Sequence, residues 1–317
     1  MTGDPSLEPA YLALNASGEL ARRAAQAWDM LAPCRLCPHD CGVDRLSGEL
    51  GVCRMDARLK VSSWTLYQGE EPPISGTRGS GAIFFSGCTG RCRFCQSYPI
   101  SQLGHGREID VERLARLMLE LQRKGAHNIN LVTPTHYLPH ILAALPHAIR
   151  GGLTLPLVYN TSGYERIEAL RLLDGVIDVW LPDAKYAENG PARRLSGFVR
   201  YVEHNRAALR EIYRQVGDEL LLDGDGLAVR GMIVRHLVLP ADLAGTERVL
   251  HWLAEELSPR VHVSLMDQYF PAYRVLDDPV LGRKVTAEEY ESALGALESA
   301  GLEYGWSQAT RDEDSDG

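Results

Sequence analysis

No cysteine lies beyond residue 95 of this 317-residue chain, although seven stand between Cys34 and Cys95. A disulfide framework is a device of small secreted domains, so this lopsided placement argues for metal binding or thiol chemistry in a reducing compartment. Basic charge is not in excess either: 33 Lys and Arg stand against 42 Asp and Glu, giving net charge −9 and a pI near 5.6. That balance excludes the electrostatic footprint of a nucleic-acid binder. No run approaches the ~18–20 apolar residues that cross a bilayer, so no membrane partner is expected. The first residues hold Asp4 and Glu8 and nothing like a secretory h-region, which points to the cytoplasm. No fixed period marks a repeat architecture. What remains is 45% hydrophobic and 24% charged, the profile of a globular chain with room for a sizeable core.

Residues 1–33 read as a helical lead-in with Leu20, Ala24, Ala27, Trp28 and Leu31 at helical spacing. Residues 34–53 carry four cysteines, and 60–80, with Pro72, Pro73, Gly76 and Gly79, read as a turn-rich connector. From residue 81 apolar runs alternate with helical patterns, the signature of βα units and a parallel sheet. Six strands are expected, at 82–85, 129–133, 156–159, 177–181, 233–239 and 261–266. Asp110 is placed to cap a helix striped with Leu114, Leu117, Met118 and Leu121, and Thr246 to cap another. Thr286 with Glu289 spells a capping box. A long polar helix is expected over 192–216, followed by a hairpin turning at Gly224-Asp225-Gly226. The units are therefore residues 1–75, a helical and cysteine-rich module with connector; 76–309, the α/β body; and 310–317, an acidic tail expected to be disordered.

The densest chemical signal is Ser86-Gly87-Cys88-Thr89-Gly90-Arg91-Cys92-Arg93-Phe94-Cys95, spaced Cys-x3-Cys-x2-Cys directly after the first expected strand. Iron–sulfur clusters are normally held by four thiolates. Three on one loop suit a [4Fe-4S] cluster that keeps one iron open, as catalytic zinc sites keep an open position. The open iron can take the amino and carboxylate groups of an amino acid. A zinc site completed by His105, or a cluster that only transfers electrons, is the plainer alternative.

These residues resemble the motif of the radical S-adenosylmethionine (SAM) superfamily. The wider run Gly69-Glu70-Glu71-Pro72-Pro73-Ile74-Ser75-Gly76, Phe84-Phe85-Ser86-Gly87-Cys88 and Phe94-Cys95-Gln96 is similar to uncharacterised relatives of pyruvate formate-lyase-activating enzyme. So are Gly125-Ala126-His127-Asn128-Ile129-Asn130, Val132-Thr133-Pro134-Thr135-His136 and Arg235-His236-Leu237-Val238-Leu239-Pro240. The resemblance covers roughly residues 30–307. It implies a partial (β/α)6 barrel with SAM across the C-terminal strand ends, a 5′-deoxyadenosyl radical made by reductive cleavage, and an electron donor such as flavodoxin or ferredoxin. Carried over residue by residue, Cys88, Cys92 and Cys95 would hold the cluster, with Phe94 beside SAM. Thr133 and Thr135 stand where the family has a Gly-Gly-Glu-Pro-like segment, a departure that leaves only backbone contacts to carry over. Asn160 and Ser162 resemble a Thr-Asn-Gly segment that meets ribose or carboxylate; Ser162 as a helix N-cap is the alternative. Asp183 and Lys185 are similar to an Asp-x-Lys pair, with Lys185 neutralising the SAM carboxylate. Arg235, a charge in an apolar strand, is expected to face a polar barrel interior. His136 and Gln268 are offered for a substrate.

Cys34-x2-Cys37-x3-Cys41-x11-Cys53 supplies four further thiolates in twenty residues. Four close a structural zinc site or hold an auxiliary [4Fe-4S] cluster with equal ease. Three functions are thus open: activation of a glycyl-radical enzyme, radical chemistry on a small molecule or peptide, or non-catalytic electron transfer.

Overall fold

The computed structural model describes residues 8–307; the acidic tail expected beyond 309 lies outside them. Two helices, Tyr11–Ala16 and Glu19–Asp29, open the chain, and Leu20, Ala24 and Ala27 turn their stripe inward. Ten strands follow: β1 Lys60–Tyr67, β2 Ser80–Phe85, β3 Arg107–Glu108, β4 Ile129–Val132, β5 Leu157–Thr161, β6 Val179–Pro182, β7 Leu221–Leu222, β8 Ala228–Leu237, β9 His262–Met266 and β10 Gly305–Ser307. The sheet runs β10-β9-β8-β6-β5-β4-β2-β1-β3, with β7 hairpinned onto β8. The path from β2 through β4, β5, β6, β8 and β9 is parallel throughout. Those are the six expected strands, joined by helices and left unclosed, which makes a partial (β/α)6 barrel. No helix among the described residues is long and apolar enough to cross a membrane.

Parallel strands buried on both faces need two sets of inward residues. Ile129, Leu131, Tyr159, Trp180 and Val234 share the outer core with Leu114, Leu117, Met118 and Leu121 of the helix Val111–Arg123. Val158, Val179, Leu181 and Ile233 form a separate cluster with Ile74, from the short helix Pro72–Ser75. Asp110 accepts from Arg113 N at 2.6 Å, and Thr286 with Glu289 completes its capping box.

Three expectations are corrected. Residues 60–80 are more than a connector, because Lys60–Tyr67 pairs antiparallel with β2 from Val61↔Phe85 to Tyr67↔Ser80. The helix expected over 192–216 breaks at Gly197 (φ 69°) into Asn189–Ser196 and Tyr201–Val216. Thr246 is the first residue of its helix rather than its cap; Asp242 accepts from its amide, and its hydroxyl meets His236 Nε2 at 3.0 Å.

Candidate active site

The three-cysteine loop leaves the C-terminal end of β2, the end of the barrel where βα loops gather. Gly87, at φ +81°, makes the turn out of the strand. A Cβ there would stand 2.5 Å from Met55 Cγ and 3.0 Å from Cys53 O, so the loop is pressed against the N-terminal module. Gly90 has a second tight contact: its Cβ would meet Phe198 Cζ at 2.8 Å and Cys92 Sγ at 3.4 Å. Gly90 N donates to Cys88 Sγ at 3.2 Å, and Ser101 Oγ lies 3.1 Å from Cys95 Sγ. A donor to sulfur such as the Gly90 amide tunes a thiolate-held cluster. Burial pushes the Cys88 and Cys92 thiols above their ordinary range; the neighbouring sulfurs add to this at Cys88, while Lys185 opposes it at Cys92. A bound metal reverses that, because a coordinated thiol loses its proton outright. Three soft donors on one strand-end loop, one of them already accepting from the Gly90 N–H and two of them feeling a nearby lysine's charge, fit a [4Fe-4S] cluster.

The lysine is Lys185, on the loop after β6. Its Nζ lies 2.5 Å from Asp183 Oδ2. Burial works against its charge, but Asp183 and the Cys92 and Cys88 sulfurs outweigh that and hold its pKa above the ordinary value. The backbone beneath is pinned: Tyr201 OH donates to Ser162 O (2.9 Å) and accepts from Lys185 N (3.0 Å), and Asn205 Nδ2 donates to Asp183 O (2.8 Å) and Gly163 O (3.1 Å). Tyr201 and Asn205 therefore lock the β5 and β6 ends together. Neither stood out in the sequence, where both read as ordinary positions of a polar helix.

The other expected residues fall into two groups. Asn160 is half-buried on β5, in register with Val132 and Leu181, beside the Asp183 end of β6. Thr133 ends β4 at φ 59°, a left-handed conformation costly for a β-branched residue, and its amide donates to Asn160 O at 2.9 Å. Phe94 packs edge-on against Tyr269, with ring centroids 5.6 Å apart. Gln268 is exposed near Gln96, whose side chain donates to its carbonyl at 3.0 Å. Ser162 caps no helix; the next one starts at Ile167.

The second group is committed elsewhere. Thr135 donates its hydroxyl to Glu165 Oε1 at 2.6 Å. The substrate role expected of His136 is corrected: it is 2% exposed, with Nε2 2.7 Å from Ser86 O, and burial drives its pKa down to about 3. It is a neutral strut beneath the cysteine loop. Arg235 does face a polar interior, but as the partner of two glutamates. Its Nε donates to Glu71 Oε1 at 2.8 Å and its Nη2 reaches both Glu70 and Glu71. Glu70 also accepts from Asn130 Nδ2 at 2.7 Å. The guanidinium's fork is thus largely spent inside the barrel.

Glu165 went unnoticed in the sequence. It is 1% exposed, takes hydroxyl donors from Thr135 and Thr161, and leaves Oε2 without a partner among the described residues. Burial outweighs those donors and lifts its carboxyl to about 7.

Comparison with known proteins agrees with this layout. The family model of the radical SAM superfamily matches residues 82–213, from β2 into the helix after Gly197. An uncharacterised protein of Methanocaldococcus jannaschii is 31% identical over 280 residues, covering 85% of this chain and 75% of that one. Among solved structures, a radical SAM methyltransferase from Sphaerobacter thermophilus superposes with TM-score 0.50 at 14% identity over 72% of this chain and 66% of that one. The FeFe-hydrogenase maturase HydG from Carboxydothermus hydrogenoformans gives 0.49 at 12% identity, over 69% and 50%. The chain thus spans two thirds or less of those two structures. The protein is an enzyme of the radical SAM superfamily. Members of that family carry a [4Fe-4S] cluster, bind SAM and draw on an electron donor.

Proposed function

We propose that Cys88, Cys92 and Cys95 hold the [4Fe-4S] cluster and that the β4–β6 strand ends hold SAM, so that the chain abstracts hydrogen from a substrate at the barrel mouth. The observation that carries this is the half-buried Lys185–Asp183 pair at the end of β6, with Nζ 2.5 Å from Oδ2 and the Cys92 and Cys88 sulfurs near enough to favour the lysine's charge. A cluster held by Cys88, Cys92 and Cys95 would supply the one electron needed for reductive cleavage of SAM to methionine and a 5′-deoxyadenosyl radical. The chain's own residues bind and orient. Lys185 offers a fixed positive charge to the SAM carboxylate, and Asp183 an acceptor to a hydroxyl or ammonium group. Asn160 adds a donor and an acceptor from β5, and the Thr133 backbone presents its strand-end carbonyl in place of a glycine-rich segment. Phe94, with Tyr269 behind it, walls the chamber with apolar surface and keeps water from a reactive radical. Arg235 is left out of this set because its donors are spent on Glu70 and Glu71.

For the substrate, we favour a glycyl residue of a partner polypeptide. This reading is supported by the likeness of the Gly69–Gly76, Phe84–Cys88 and Phe94–Gln96 runs to uncharacterised relatives of pyruvate formate-lyase-activating enzyme. A small molecule or peptide is the second reading, with the cysteine module pressed against Gly87 as an auxiliary or docking element. The electron donor we place with the one-electron carriers, flavodoxin or ferredoxin, and the chain in the cytoplasm. Anaerobic reconstitution with iron and sulfide, followed by reductant and SAM, tests the core of the proposal. Equal amounts of 5′-deoxyadenosine and methionine are expected, and none from Cys92→Ala. An intact cluster that leaves SAM uncleaved would sink it.

A further inference from the structure

The N-terminal cysteines have no part in the chemistry above, yet their surroundings are built. Cys34 N donates to Val43 O at 2.8 Å and Gly42 N returns to Cys34 O at 3.1 Å, a fold-back made possible by Gly42 at φ +67°. It brings Cys34 and Cys41 to the same end of a tight loop. Val52 N donates to Cys41 Sγ at 3.4 Å. A Cβ on Gly51 would stand 3.3 Å from Cys41 Sγ and 3.8 Å from Cys53 Sγ, so the two sulfurs share the space its missing side chain leaves. All four thiols are free, and Cys34 and Cys53 are buried. No three His, Cys, Asp or Glu side chains among the described residues converge on one ion position. Loading therefore turns the thiols about χ1, or bridges them with a polynuclear cluster.

This module is also seated on the catalytic loop. His39, between Cys37 and Cys41, puts Nε2 2.7 Å from Thr89 O, its ring edge-on to Tyr164 at 5.0 Å. Cys53 O and Met55 close on Gly87 from the other side. Arg45, 1% exposed, ties the module to the barrel by donating to Asp56 O (2.6 Å) and His136 O (2.8 Å), while His136 holds Ser86 O. Ser86–Thr89 is thus touched by His39, Cys53 and Met55 of the module and by His136, which Arg45 holds, beside its bonds to Lys60 O, Ile100 O and His105 O.

We propose that Cys34, Cys37, Cys41 and Cys53 hold a four-thiolate metal centre, zinc or an iron–sulfur cluster, whose loading clamps the Ser86–Thr89 stretch and so orders the catalytic cysteine loop. The coupling rests on the reading of Cys88, Cys92 and Cys95 given above; the metal site does not. In a module this small, metal-binding free energy is folding free energy. Without the metal, His39 and Cys53 keep only the hydrogen bonds and ring packing described above to hold them against the loop.

Three proteins test this after anaerobic reconstitution: wild type, Cys88→Ala/Cys92→Ala/Cys95→Ala, and Cys34→Ser/Cys41→Ser. The triple variant is expected to keep one zinc, or about four irons with matching sulfide. Sulfide with iron identifies a cluster, and zinc alone a mononuclear ion. A folded triple variant with neither overturns the site. In the Cys34→Ser/Cys41→Ser protein, amide exchange across residues 86–95 should run about tenfold faster, with residues 157–161 unchanged. Unchanged exchange in the loop overturns the coupling. Should that variant fail to fold, His39→Leu keeps every thiol: both metals should stay, while exchange at residues 89–91 still quickens, and an unaltered rate overturns the clamp. If the triple variant holds metal but wild type cleaves no SAM, the proposed function falls and the N-terminal site stands.

Discussion

Arg235→Met gives the sharpest quantitative test of the barrel interior. The substitution keeps the apolar stem and deletes the only guanidinium between Glu70 and Glu71, whose side chains are 7% and 6% exposed. Removing one partner from a buried ion pair costs about 3–5 kcal/mol, because the remaining charge is stranded. Here two carboxylates lose the same partner, so the upper end of that range is expected at pH 7.5. The pH dependence supplies the check. In the wild type, burial raises the pKa of Glu71, but Arg235 outweighs burial and holds it below the ordinary glutamate value. Its contribution is therefore present above about pH 4.5 and lost only as pH falls through the lowered value. In the variant Glu71 loses the guanidinium that opposes burial, so its pKa rises and it takes up a proton as pH falls from 7.5 to 5.5. That proton is worth up to about 1.4 kcal/mol per pH unit, so the deficit should shrink by about 2 kcal/mol. Urea unfolding of the cluster-free protein at both pH values measures it. A deficit below about 1 kcal/mol at pH 7.5, or one that does not shrink on acidification, refutes the buried-triad account. If Arg235 instead contacts SAM, the variant would raise KM for SAM while leaving the urea midpoint in place.

Other outcomes follow from the same contacts. Lys185→Met should keep the cluster and its iron count but weaken SAM binding by roughly tenfold or more, the worth of one hydrogen bond to a charged group, read as KM for SAM in the cleavage assay. Gly163→Ala puts a Cβ 2.2 Å from Asp183 O and 2.3 Å from Asn205 Nδ2 at φ +65°. It should cost at least about 1–3 kcal/mol and raise KM for SAM through the displaced Asp183, whereas Gly190→Ala, with open space around it, should change neither. Asp178, on the opposite end of β6, accepts from Leu157 N at 2.8 Å, and burial lifts its pKa from 3.8 to about 7. A raised carboxyl pKa adds stability below the ordinary value and loses it as pH climbs through the raised one. Thermal midpoints should therefore fall between about pH 4 and 7, and Asp178→Asn should flatten that decline.

Local chemistry was legible from the chain alone. The Cys-x3-Cys-x2-Cys loop, the six apolar runs, the Asp110 cap and the Thr286–Glu289 box all depend on residues a few positions apart, where spacing and geometry are nearly the same thing. Asp183 and Lys185 were legible for that reason too, since both end a single strand. The break at Gly197 could have been read from its glycine, but the helical pattern on both sides hid it.

What the sequence could not decide involves distant partners. Arg235 reads as an unusual charge in an apolar strand. That it is satisfied by glutamates 164 and 165 residues away is set only when the Glu70–Ser75 segment enters the barrel. His136 reads only as a strand-end residue offered for a substrate; that the cysteine loop and Arg45 close over it is a tertiary fact. β1 was hidden because Pro72, Pro73, Gly76 and Gly79 dominate its flank, and strand pairing is a tertiary event that no local propensity announces. Seven cysteines in two sets were plain from the first reading. That the two sets meet, through His39 on Thr89 and Cys53 on Gly87, only the folded chain decides, because the contact is made by packing between segments that share no pattern.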